Sequence, residues 1–152
     1  RIGGSRVVRE SADDAVTIIG AGITLHEALK AADQLASEGV NARVIDLYSV
    51  KPIDAETLKR AGRDTGALIT VEDHWAEGGI GDAVLAALAE EQPHPIVVKL
   101  AVRDMPGSGK PAELLAAAGI DANHIADAAR DLAGRAGSRA RSATTVGSGA
   151  GD

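Results

Sequence analysis

The sequence has 152 residues, 45% of them hydrophobic and 25% charged, the balance of a single folded globular domain, which excludes wholesale disorder. A formal net charge of -6 argues against general nucleic-acid binding, since neutralising phosphates takes clustered Lys and Arg, and the absence of cysteine excludes disulfides, thiolate metal sites and cysteine nucleophiles. No apolar run approaches the roughly eighteen residues of a membrane span and no signal-like segment opens the chain, so the expectation is a soluble, cytoplasmic protein with no membrane partner.

Arg6 to Glu10 and Ala15 to Ile19 read as two strands, and the linker between them is too short for a parallel crossover, which predicts an antiparallel hairpin. After Gly20-Ala21-Gly22, Thr24 and Glu27 have capping-box spacing, and Leu25, Ala28, Leu29, Ala32 and Leu35 recur with helical period until Gly39. Ala42 to Asp46 is the next strand, followed by a loop containing Lys51-Pro52 and a short helix capped by Asp54 that ends near Gly62. Ala67 to Val71 is a continuous apolar run of the kind buried on both faces of a parallel sheet. It leads into the polar stretch Glu72-Asp73-His74, a loop from Trp75 to Gly79, and a helix over Ile80 to Leu88 broken at Gln92-Pro93. Ile96 to Ala101 is the last strand, and two helices follow: Pro111 to Ala118, and Asp121 to about Gly134 with Asp121 as N-cap.

Strand and helix alternate after Gly20, which predicts right-handed βαβ units on a three-layer α/β/α frame. Residues 1–134 make the domain. From 135 to 152 the chain is Gly, Ser, Ala, Thr and Arg with little to bury, which predicts a flexible tail.

Two places could carry chemistry. Gly20 and Gly22 follow a strand and precede a helix, where α/β sheets cradle phosphates, and Asp46 ends the next strand where a ribose-binding acid would sit. The third glycine of that fingerprint is Leu25, so the match is partial and weak, and a tight strand-to-helix turn with close backbone packing is the favoured explanation of the glycines. Glu72, Asp73 and His74, with Gly78 and Gly79 just beyond, belong at the carboxyl end of a central strand, the usual ligand edge of such sheets. The neighbouring acids could fix a tautomer of His74, whereas a metal site is disfavoured because no second His stands at ligand spacing. Polar packing or a subunit contact is the simpler role. Gly78-Gly79-Ile80-Gly81 could bind an anion at a helix start but lacks the Lys-Ser or Lys-Thr of a P-loop. His26, His94, His124 and Lys110 read as surface residues, and no Gly-x-Ser-x-Gly elbow supports a hydrolase.

Four segments, Val16 to Leu29, Val44 to Asp54, Val71 to Ala83 and Ser108 to Asp121, together resemble the C-terminal domain of transketolase, a thiamine diphosphate enzyme that moves two-carbon ketol units between sugar phosphates. Looser versions of the first three occur in deoxyxylulose-phosphate synthase and the pyruvate dehydrogenase β subunit. The resemblance implies a five-stranded, mostly parallel sheet with its first strand antiparallel. It also implies that thiamine diphosphate and Mg2+ are held by upstream catalytic domains or a separate subunit, that the complete enzyme is a homodimer, and that this domain supports assembly without binding cofactor or metal. Gly81-Asp82-Ala83 lacks the second glycine of the family's cofactor motif, in keeping with a non-catalytic domain. Gly20, Gly22, Lys51, Glu72, Asp73, His74, Gly78 and Gly79 are then expected as loop or interface positions, with the Glu72 stretch clustered near Gly20 and Lys51. The alternative is a regulatory module that binds a nucleotide or another small ligand.

Overall fold

The computed structural model describes residues 2–105 and 107–147; Pro106, Arg1 and residues 148–152 of the expected tail lie outside them. Strands β1 (Arg6–Arg9), β2 (Val16–Gly20), β3 (Ala42–Asp46), β4 (Ala67–Trp75) and β5 (Ile96–Val102) form one sheet in the order β1-β3-β2-β4-β5. All neighbours run parallel except β1, which is antiparallel to β3. The helices are α1 (Ile23–Ser37), α2 (Ala55–Thr65), α3 (Ile80–Leu88), α4 (Pro111–Ala117) and α5 (Ala122–Gly147).

Alternation along the strands sorts the core into two layers. Val16, Ile18, Val44, Ile69 and Val71 point to one face, covered by Leu25, Ala28, Ala32 and Leu35 of α1 and Ile125, Ala129 and Leu132 of α5. Ile19, Ile45 and Leu68 point to the other face, covered by Leu58 and Ala61 of α2 and Ile80, Val84 and Leu88 of α3. The three-layer α/β/α frame is therefore present. Central strands β2, β3 and β4 are largely buried on both faces, which accounts for the continuous apolar run Ala67 to Val71 of β4.

The hairpin expected between the first two strands does not form. β1 and β2 do run in opposite directions, but β3 lies between them, pairing with β1 through Arg6↔Asp46 and with β2 through Val16↔Ala42 to Gly20↔Asp46. A short linker dictates reversal, not adjacency. The Asp-rich linker instead ties to its surroundings through Asp14, which accepts from Arg43 of β3.

The capping box at the start of α1 is also absent. Gly22, at φ +59°, holds the N-cap position, Thr24 is inside the helix, and the carboxylate of Glu27 accepts from Ala122 N (3.0 Å) at the start of α5. Glu27 thus caps a helix distant in sequence. Asp54 caps α2 as expected, accepting from Thr57 N, and Asp121 accepts from His124 N at the start of α5. Helix α2 runs past Gly62 to Thr65, ending at Gly66 (φ +64°), because Gly62 keeps a helical backbone. The same holds for Gly134 and Gly137: neither adopts positive φ, and α5 continues to Gly147 instead of stopping near Gly134.

Candidate functional site

The connection from β2 to β3 runs to one side of β2, and those from β3 to β4 and β4 to β5 run to the other. The switch in winding leaves a crevice between the carboxyl ends of β2 and β4, the place where such sheets take ligands. Gly20, Glu72, Gly78 and Gly79 converge on it. Gly20 is buried, and a Cβ there would lie about 3.0–3.1 Å from Thr24 and Leu25, so a larger residue would push the start of α1 a few tenths of an ångström off the sheet. Thr24 Oγ1 accepts from Ala21 N (3.1 Å) and lies 2.9 Å from both Ala21 O and Val71 O, tying α1 to β4 across the crevice.

Glu72 fills the other side. It is fully buried, with Oε1 accepting from Ile80 N (3.0 Å) and Oε2 from Gly81 N (2.8 Å). The N-terminus of α3, whose free N–H groups and positive dipole end would attract an anion, holds the chain's own carboxylate. Gly79 makes room for it, since a Cβ at that position would overlap Glu72 Oε1. The glycines read as a possible anion loop thus serve an internal anion.

A second set of bonds closes the loop over this carboxylate. Lys99 Nζ donates to Asp82 Oδ1 (2.7 Å) and to Ala76 O (3.0 Å), and Gly78 N donates to Asp82 Oδ2 (2.6 Å). The Lys99 hydrogen bond, with help from Gly78 N–H, holds the Asp82 carboxyl below its ordinary pKa. From the sequence Thr24 is read only as a helix cap and Asp82 only as part of Gly81-Asp82-Ala83, and Lys99 is not singled out. The signal available was Lys99 itself, a lone charge inside the apolar strand IVVKLAV, whose ammonium needs a partner from the neighbouring helix.

Asp73, His74 and Trp75 belong to β4, not to a loop, and all three are exposed. Asp73 Oδ1 and His74 Nε2 are 3.3 Å apart. These residues border a groove of about 1020 Å3 between the carboxyl ends of β4 and β5 and α4, with Ile23 at its α1 side. Gly22 is exposed at the start of α1. The loop that carries Lys51 packs against the N-terminal segment, where Ser49 Oγ accepts from Gly3 N (3.1 Å) and Asp54 from Ser5 N (3.2 Å), on the β1 side of the sheet. This loop after β3 meets Gly20 through Leu47 N, which donates to Gly20 O (2.9 Å), and its Val50 and Ile53 pack in the same core cluster as Ile80 of α3. Among the described residues, no three His, Asp or Glu side chains gather as metal ligands.

The architecture is that of a doubly wound α/β domain whose ligand crevice is occupied by its own side chains. The family model for the transketolase C-terminal domain matches residues 3–125, and the chain belongs to that family. It is 54% identical over 131 residues to mouse transketolase-like protein 2, covering 86% of this chain and 21% of that protein. It is 51% identical over 133 residues to human transketolase, covering 87% of this chain and 21% of that protein. The chain therefore spans about a fifth of the length of these curated relatives. Among solved structures, one titled as the inactive β4 tetramer of a split-gene transketolase superimposes with a TM-score of 0.80 at 42% identity, covering 88% of this chain and 43% of that one. A transketolase from Leishmania mexicana, 19% identical with a TM-score of 0.65, shares the fold over 88% of this chain and 18% of its own.

Proposed function

We propose that this transketolase C-terminal domain is the non-catalytic, assembly-supporting part of a cytoplasmic enzyme that transfers two-carbon ketol units between sugar phosphates. Thiamine diphosphate and Mg2+ would be held by upstream domains or a separate catalytic subunit, and the complete enzyme would be a homodimer. The observation that carries this reading is Glu72. Its carboxylate already uses the Ile80 and Gly81 N–H groups, so the crevice has no open cradle there for a diphosphate. The α3 N–H donors that a diphosphate would need are taken by Glu72, so the side chains of this crevice do not fit thiamine diphosphate and its Mg2+. The solved split-gene relative, an inactive β4 tetramer, supports a division in which catalysis needs a second part.

In this reading Asp73, His74 and the exposed face of Trp75 are contact positions for the rest of the enzyme, while Gly20, Gly22, Glu72, Gly78 and Gly79 shape the edge that presents them. Lys51 would belong to a contact near the N-terminal segment. Leu132 is the last fully buried residue of α5, but Ala136 still packs on the core and Arg139 Nη1 donates to His94 O (2.8 Å), so contacts with the domain run past Gly134. No helix among the described residues is long and apolar enough to cross a membrane.

The test is a ketol-transfer assay with thiamine diphosphate and Mg2+ on the purified chain, alone and mixed with the catalytic portion of the enzyme. The expected result is a buffer-level rate alone and turnover on mixing. Ketol transfer by the purified chain alone, above contamination controls, overturns the proposal.

A further inference from the structure

We draw no further inference here: the strongest candidate, the apolar groove between the carboxyl ends of β4 and β5 and α4, which gathers the exposed Ile23, Trp75 and Met105, has both acidic and basic groups at its rim (Asp73 and Asp104 beside Lys99 and Arg103), and nothing in the structure shows what covers it.

Discussion

Removing the Glu72 carboxylate should loosen the start of α3, and the structure sets the size of the effect. Glu72→Ala deletes two hydrogen bonds to an ionised acceptor, at 3.0 and 2.8 Å, in a fully buried position. Bonds to charged groups contribute about 1.5–3 kcal/mol each, and the partial charge of the helix end is left uncompensated, so a loss of about 3–6 kcal/mol is expected. Glu72→Gln keeps one acceptor but turns an amide N–H toward the other donor, and should cost about 2 kcal/mol. Gly79→Ala gives the decisive comparison. Gly79 has φ -101° and ψ -153°, extended backbone that alanine accepts, and the nearest obstacle to a methyl group is the Glu72 carboxylate. In the native background the substitution should therefore cost about 2 kcal/mol through overpacking, and in the Glu72→Ala background less than about 0.5 kcal/mol. Urea unfolding followed by circular dichroism, over the four combinations, reads the coupling directly, expected at about 1.5 kcal/mol. Equal costs for Gly79→Ala in both backgrounds would refute the internal-anion account of this loop.

Other substitutions probe separate parts of the molecule. Arg43, only 7% exposed in its side chain, joins Asp14 and Asp64 from the β1–β2 linker and α2; Arg43→Ala should lower stability by about 3 kcal/mol, measured by chemical denaturation, because Asp14 is left buried without a cation. At Asp54, burial opposes ionisation, but hydrogen bonds from Ser5 and Thr57 outweigh it and place the carboxyl below its ordinary pKa. A depressed folded pKa adds stability that is present above the unfolded pKa of about 4 and lost as pH falls through the folded value. Asp54→Asn should thus cost about 1 kcal/mol at neutral pH and progressively less in acid, and a gap that widens on acidification would contradict this. His74 is largely exposed, so His74→Ala should change the stability of the isolated chain by less than about 0.5 kcal/mol, while weakening assembly of the complete enzyme several-fold in sedimentation experiments. A large drop in melting temperature with unchanged assembly would show that His74 is a packing residue.

Much of the fold is written in local pattern. The apolar run Ala67 to Val71 identified a strand buried on both faces, the spacing of Leu25, Ala28, Ala32 and Leu35 identified one face of α1, and Asp54 and Asp121 marked helix starts through short-range caps. These signals act within a few residues, so no knowledge of the rest of the chain is needed to read them. Four ordered segments likewise sufficed for the resemblance to the transketolase C-terminal domain, which the family match over residues 3–125 bears out.

Tertiary structure decided the pairings. Whether β1 lies beside β2 or β3 depends on which strand edge is free once α1 has carried the chain back, and a four-residue strand carries no code for that choice. Thr24 and Glu27 have the spacing of a local capping box, yet they do not cap each other: Thr24 bonds Ala21 and reaches across to Val71, and Glu27 accepts from Ala122. Glu72 and Lys99 are the clearest case. In sequence one is an acid after a strand and the other a lone base in a second strand; in space both bond the first residues of α3, and Lys99 also holds Ala76 O in the loop before it. Side-chain direction along a strand follows from its alternation, but the identity of the group it meets is fixed only when distant elements pack, because buried polar atoms take whichever donor or acceptor the fold brings within reach.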